Sequence, residues 1–240
     1  MGKDRPRQGP QSGGEVSEDD TKRFQFFGRR RGKTLRRRHL QLTEELLPTI
    51  RVDLNDPLPR GEAWLEIGFG GGEHLAHQAA TFPDINFIGA EPFRNGVAKL
   101  LAHVEEKALT NIRVHDDDVR YLLEKLPPAS LSKIFVLYPD PWPKKRHHER
   151  RIVNADTLKQ FHALLKPDGV FLFASDIIEY VEWTLHECRK HGGFALLSDT
   201  DEPYANWFQT RYEAKAKREG RETRYLTFGR TNRKQATLGA

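Results

Sequence analysis

Three prolines in five residues constrain the middle of this chain more than any other feature. Pro139, Pro141 and Pro143 lie in Tyr138-Pro139-Asp140-Pro141-Trp142-Pro143-Lys144-Lys145-Arg146. Each removes a backbone donor and locks its own φ, so this stretch forms neither helix nor ladder. The run before it, Lys133-Ile134-Phe135-Val136-Leu137, is apolar and partly β-branched, and predicts a buried strand over 133–138. A stiff loop must therefore leave the C-terminal end of that strand carrying a carboxylate, an indole and a burst of positive charge. In open α/β sheets this is the edge where ligands bind. The plainer reading is a Pro-rich turn with a Trp lid and solvated basic residues. The conjunction of Asp140, Trp142 and the basic run favours a functional loop.

The flanking sequence supplies the sheet. Ala63-Trp64-Leu65-Glu66-Ile67-Gly68 predicts a strand that enters Gly68-Phe69-Gly70-Gly71-Gly72, followed by a helix over 73–81. Further strands are predicted at 85–91, 111–115, 170–174, 194–197 and 223–228, with helices at 94–108, 154–165 and 177–191. A short helix over 43–50 has Thr43 as its candidate N-cap. Strands alternating with helices through short links indicate an α/β fold. The expectation is a Rossmann-like, mostly parallel seven-stranded sheet with helices on both faces. No convincing helix separates the last two strands, which allows an antiparallel end. The expected organisation is a disordered tail over 1–22, a basic aromatic arm over 23–42, the α/β domain over 43–230 and a tail over 231–240.

Charge is distributed unevenly along the chain. The whole carries +5, but residues 1–40 carry a net +7 and the remainder a net −2. Seven of the arm's charges fall between Arg29 and Arg38, and a second cluster, Lys144, Lys145, Arg146, Arg150 and Arg151, follows Asp140. Two basic clusters, one beside a candidate site, point to a polyanion such as nucleic acid. Phe24, Phe26 and Phe27 either stack on bases or anchor the arm on the domain. One cysteine, Cys188, excludes an intrachain disulfide and a Cys-rich metal site. No apolar run reaches membrane-spanning length and the N-terminus has no apolar signal core, so a cytoplasmic protein with no membrane partner is expected.

The candidate site residues follow from position. Gly68 and Gly70 bring a ligand close to backbone N–H groups. Glu73 stands where a dinucleotide fingerprint wants its third glycine, and Glu66 precedes the loop. Two carboxylates there oppose a pyrophosphate and favour a cation, hence S-adenosylmethionine over a nicotinamide dinucleotide. Glu91, 21 residues after Gly70, suits the ribose hydroxyls of either cofactor. Asp117 or Asp118 reads an adenine amino group, caps the next helix, or does both; Asp116 is read as surface. Asp140 stands at the reacting centre. Asp176, after the fifth strand, faces the same cleft or caps helix 177–191. His147 and His148 are adjacent, which favours phosphate contact or plain surface over metal ligation.

Leu65-Glu66-Ile67-Gly68-Phe69-Gly70, Gly89-Ala90-Glu91, Pro139 through His147, Arg150-Arg151-Ile152 and Thr210-Arg211-Tyr212-Glu213 occur in order. Together they resemble the bacterial tRNA (guanine-N7-)-methyltransferases of the TrmB type, over about residues 24–228. The Asp-Pro-Trp-Pro-Lys-Lys-Arg-His run and the Thr-x-Tyr-Glu element are the specific parts. The resemblance implies a class I methyltransferase fold that uses S-adenosylmethionine to methylate N7 of a guanine in the tRNA variable loop (m7G46 formation). It implies that Glu66, Glu91, Asp117 and Asp140 contact the cofactor, with Asp140 also catalytic. It further implies that Lys144, Asp176 and Thr210, Arg211, Tyr212 and Glu213 contact the substrate. No metal is implied, and either a monomer or a homodimer is compatible. Trp142 either stacks on the base or walls the cleft. Asp-Pro-Trp-Pro also loosely resembles the loop of amino methyltransferases, with Trp142 in place of their second proline, and that is the second reading. A non-catalytic RNA-binding module is the third and a nicotinamide dehydrogenase the last.

Overall fold

The computed structural model describes residues 24–232. The tail expected over 1–22 and most of that over 231–240 lie outside the described residues. Seven strands form one sheet: β1 Ala63–Ile67, β2 Asn86–Ala90, β3 Ile112–His115, β4 Leu131–Leu137, β5 Leu165–Ser175, β6 Phe194–Thr200 and β7 Arg224–Arg230. Their order is β3-β2-β1-β4-β5-β7-β6, and only β7 runs antiparallel to its neighbours. The helices are α1 Arg37–Glu45, α2 Leu47–Ile50, α3 Glu73–Thr81, α4 Arg94–Glu106, α5 Val119–Leu123, α6 Ala155–Leu164, α7 Ile178–His191 and α8 Arg211–Arg218.

Period-two alternation divides the strand side chains between two cores. Ala63, Leu65 and Ile67 of β1 join Ile134 and Val136 of β4 on the face covered by α5, α6 and α7. Trp64, Phe135 and Leu137 take the other face, with Leu75 and Ala79 of α3 and Leu100 and Leu101 of α4. Each fully buried Leu, Ile or Phe contributes about 1.5–3 kcal/mol. Both faces are therefore dry, which is why the strands read as continuous apolar runs.

Local chemistry sets the helix ends. Asn154 and Thr157 close a capping box on α6. The α7 helix ends in Arg189, Lys190 and His191 against Gly192 in the left-handed conformation, with φ 70°.

Four features differ from expectation. Thr43 lies inside α1, where its hydroxyl donates to the His39 carbonyl, and the segment over 43–50 is divided between α1 and α2. Thus α1 runs across the expected border between arm and domain, with Leu42 buried against the second core. The β5 strand starts at Leu165 rather than 170, because Leu165 pairs with Leu131 before the register shifts at Lys133. An unexpected helix, α8, stands between β6 and β7. Its sequence is charged and buries only Glu213 and Ala216, too thin an apolar stripe to be read.

Candidate active site

The sheet order reverses between β1 and β4, and a cavity of about 450 Å³ opens there. Segments following β1, β2, β3 and β4 supply its walls: Gly68 and Gly70, Glu91, Asp118, and Tyr138, Pro139, Asp140 and Trp142. A doubly wound sheet brings successive strand ends to this point whatever their distance in sequence.

The glycine loop curls under the cavity with φ of 71°, 59° and 75° at Gly68, Gly70 and Gly72, values costly for any side chain larger than hydrogen. The loop is tied to Glu91. Glu91 Oε2 accepts from the Gly70 N–H at 2.8 Å and Oε1 accepts from the Phe93 N–H at 2.9 Å. Burial pushes the Glu91 carboxyl upward, the two N–H groups pull it down, and the charges of Asp140 and Glu66 push it up again; the net is upward. Each oxygen keeps a second lone pair for a ligand hydroxyl.

The acids after β3 take separate tasks. Asp118 caps α5 by accepting from the Arg120 N–H at 3.0 Å, pairs with Arg120 Nη2 at 2.6 Å, and lines the cavity. Asp117 does not line it. Its Oδ1 pairs with Arg30 Nη1 of the arm at 2.6 Å. Burial pushes Asp117 upward, but the Arg30 and Asp118 hydrogen bonds and the Arg30 charge outweigh it and hold the carboxyl below its ordinary range. Asp116 is held by Arg51 in two bonds of 2.9 Å.

Asp140 sits at the mouth. No hydrogen bond or ion pair reaches its carboxylate among the described residues. The cavity walls partly desolvate it, which raises its pKa. Backbone strain flanks it: φ is 50° at Tyr138 and 43° at Trp142. A left-handed conformation costs about 1–3 kcal/mol at a non-glycine residue and persists only where the surroundings over-determine it. Here they do. The Tyr138 N–H donates to the Ala174 carbonyl at 2.7 Å, the Tyr138 hydroxyl lies 3.0 Å from Thr223 Oγ1, and Arg151 Nε donates to the Pro141 carbonyl at 2.8 Å.

The arm covers the cavity with Phe26, Phe27 and Gly28. Its aromatic rings anchor it on the domain: Phe24 packs on Tyr121 at 5.0 Å, and Phe27 lies under Arg150 at 4.2 Å and beside Trp142 at 6.5 Å. On the opposite side Arg211 and Tyr212 of α8 complete the wall, with Arg211 paired to Glu73. The Tyr212 ring lies 6.5 Å from that of Tyr138, nearly parallel at 20°.

Several expected site residues stand elsewhere. Alternation turns Glu66 to the α3 face, where its Oε2 meets His74 Nδ1 at 2.7 Å behind the glycine loop. Lys144 is exposed at the start of a short 3₁₀ helix, Lys145–Arg150, outside the wall. Asp176 caps nothing; it pairs with Arg221 Nε at 2.6 Å. Thr210 caps α8 by accepting from the Glu213 N–H. Glu213 is 1% exposed and accepts from Trp207 Nε1 at 2.6 Å. Two wall residues carried no sequence signal, Lys99 and Gly96 on α4. Burial and the Arg211 charge lower Lys99, against Glu73. Among the described residues no group of three His, Cys, Asp or Glu is placed to hold a metal.

The charge pattern decides what this cavity accepts. Among the wall's basic groups, Arg120 is engaged by Asp118, Arg151 by Glu179 and Arg211 by Glu73, Arg150 lies over the Phe27 and Trp142 rings, and Arg29 and Lys99 also line the cavity. Burial raises the cost of ionising both Glu91 and Asp140, and the Asp140 charge adds to it at Glu91, so a cation beside them relieves both. These two desolvated carboxylates fit the sulfonium and ammonium of S-adenosylmethionine. With its glycine loop and strand-end acids, the sheet defines a Rossmann-like class I methyltransferase fold. Solved structures share that fold. A 16S rRNA methyltransferase, KamB, superposes with a TM-score of 0.52 at 18% identity, covering 79% of this chain and 93% of that one. A 16S rRNA (adenine(1408)-N(1))-methyltransferase from Catenulisporales acidiphilia superposes at 0.50 with 12% identity, covering 82% and 93%.

Sequence relatives are closer. A family model described as "Putative methyltransferase" matches residues 60–226. The tRNA (guanine-N(7)-)-methyltransferase of Agrobacterium fabrum is 53% identical over 217 residues, 85% of this chain and 94% of that protein. That of Rhizobium meliloti is 50% identical over 219 residues, with the same coverage. The chain belongs to the tRNA (guanine-N(7)-)-methyltransferase family.

Proposed function

We propose that this protein transfers a methyl group from S-adenosylmethionine to N7 of a guanine in the variable loop of tRNA, nucleotide 46. The observation that carries the reading is the placement of Glu91 and Asp140 on one cavity, the first tied to the glycine loop and the second without a hydrogen-bond or ion-pair partner among the described residues. When bound, S-adenosylmethionine supplies an electrophilic methyl on a positively charged sulfur. Glu91 offers its remaining lone pairs to the ribose hydroxyls, and Asp118 takes the adenine end. Asp117, on the far side of that turn, holds the arm through Arg30. Glu66 supports the loop through His74 instead of touching the cofactor.

Guanine N7 has an in-plane lone pair and no proton to lose, so the attack needs no strong base. What it needs is alignment, the near-attack contribution. Asp140 accepts from the guanine N–H edge, orients the ring, and offsets the positive charge that methylation places on it. Tyr212 and Arg211 contact the substrate side of the cavity. Thr210, Glu213 and Asp176 hold that side from behind. Lys144, Lys145 and Arg146, all exposed, take phosphates, which makes binding salt-sensitive. The tail and domain borders at 22 and 230 are part of this reading, with α1 continuous across 42, as is a cytoplasmic location; no helix among the described residues is long and apolar enough to cross a membrane.

The test is incubation with methyl-labelled S-adenosylmethionine and unmodified tRNA, followed by nucleoside mass spectrometry. Labelled 7-methylguanosine is expected. Label in another nucleoside would overturn the target atom, and absence of both transfer and cofactor binding would overturn the enzyme.

A further inference from the structure

Five basic residues follow Asp140 within eleven positions, and one of them is not available to RNA. The Arg151 side chain is 1% exposed, whereas Lys144, Lys145 and Arg146 stand in solvent. We propose that Arg151 is a positioning residue for Asp140 and not a phosphate contact; the proposal rests on the tRNA methylation read above.

The reason begins with the prolines. Pro139, Pro141 and Pro143 have no N–H, so this loop is held by few backbone donors and its carbonyls are the available handles. Arg151 takes one of them. Its Nε donates to the Pro141 carbonyl at 2.8 Å and its Nη2 donates to Glu179 Oε1 at 2.8 Å. The guanidinium lies over the rings of Tyr180 and Trp183, at 4.9 and 5.0 Å. The backbone beneath it is fastened as well: Asn154 Nδ2 donates to the Arg151 carbonyl at 2.8 Å and Trp183 Nε1 donates to the Val153 carbonyl at 2.7 Å.

Pinning the Pro141 carbonyl fixes the peptide plane that leads into Trp142, whose φ is 43°. Asp140 is the residue just before Pro141. Its carboxylate has no partner of its own among the described residues, so the backbone that carries it sets what it can reach. Without Arg151, Trp142 is free to leave its strained conformation and Asp140 moves with it. A displacement of about 1 Å at a reacting centre costs about a hundredfold in rate. Lysine cannot substitute: one ammonium neither donates in two fixed directions nor lies flat on two rings.

The test compares full-length R151K, R151A, E179Q and R146A variants. Single-turnover methylation is measured at saturating cofactor and tRNA, and tRNA Kd is measured across a salt series. R151K is expected to slow turnover about 30- to 100-fold while tRNA Kd and its salt slope stay within twofold of wild type. Guanidinium is expected to restore part of the R151A rate. E179Q, altering a half-exposed partner without touching the core, is expected to slow turnover about threefold to tenfold. R146A serves as the opposite pattern, with weaker tRNA binding and a salt slope lower by about one. If R151K behaves like R146A, Arg151 is a phosphate contact and the proposal falls. If the R151A rate loss is matched by lost cofactor affinity and is not rescued by guanidinium, the role is only structural and the proposal also falls. Hydrogen exchange at the Tyr138 amide, which donates to the Ala174 carbonyl at 2.7 Å where the loop leaves β4, separates the two readings. It is expected to quicken in R151K even if wild type transfers no methyl; unchanged exchange overturns the positioning role.

Discussion

Gly96→Ala tests whether the glycine loop and α4 are as tightly fitted as the geometry implies. A Cβ at residue 96 would lie 2.1 Å from the Gly70 carbonyl oxygen, 3.1 Å from its carbon and 3.3 Å from Glu91 Cγ. Non-bonded carbon contacts settle near ~3.5 Å, so the loop must retreat by about 1 Å. The atom in the way is backbone, which cannot rotate aside as a side chain does. The same retreat stretches the 2.8 Å bond from the Gly70 N–H to Glu91 beyond hydrogen-bond range. Overpacking costs about 1–3 kcal/mol and a lost bond to a carboxylate about 1.5–3 kcal/mol. The better helix propensity of alanine returns about 1 kcal/mol. The net expectation is a loss of about 1.5–5 kcal/mol in urea unfolding free energy followed by tryptophan fluorescence. Calorimetric titration should show S-adenosylmethionine binding at least about tenfold weaker, a difference of about 1.4 kcal/mol. Unfolding free energy within about 0.5 kcal/mol of wild type, together with unchanged affinity, would refute the reasoning.

The acids of the site separate by experiment. Asp140→Asn should lower single-turnover rate by about a hundredfold or more with little change in tRNA affinity; equal turnover would sink the role given to Asp140. Desolvation raises the Asp140 pKa, so the acid limb of wild-type turnover should lie above the ordinary aspartate range near ~3.9, and vanish in the Asn variant. A raised carboxyl favours the folded state in its neutral form, and that contribution is lost as pH rises through the folded-state pKa. At neutral pH the charged Asp140 therefore costs stability, and Asp140→Asn should melt no lower than wild type by calorimetry. Asp118→Asn should weaken cofactor binding about tenfold while Asp117→Asn changes it less than about threefold; the reverse order would show that Asp117 turns inward. Glu213→Ala should cost about 2–3 kcal/mol in urea unfolding by stranding Trp207 Nε1, with tRNA Kd nearly unchanged. A large change in Kd without a stability loss would make Glu213 a substrate contact.

Much of this was legible along the chain. The seven strands, their alternation with helices and the antiparallel end follow from apolar runs and Gly/Pro punctuation, which act over a few residues. So does the loop after β4, since three prolines forbid every alternative. The α8 helix escaped because it is held by tertiary partners: Glu213 on Trp207, and Arg211 on Glu73, 138 residues away. Thr43 escaped for a related reason. Leu42 is buried in the core beside α4, and that packing extends α1 across the position where a local signal would start a helix.

The sequence by itself determined which strand ends carry acids, where the chain turns on glycine and where proline stiffens it. These are properties of neighbouring residues and of the backbone they permit. Only the tertiary structure decided which of those acids face the cavity. Glu66 turns to His74, Asp117 to Arg30 across 87 residues, and Asp118 and Asp140 line the cavity. It likewise divided one run of basic residues into an exposed set and a buried Arg151. Side-chain direction and burial depend on what packs opposite, and the opposing groups come from elements far away in the chain, so no window of sequence contains that information.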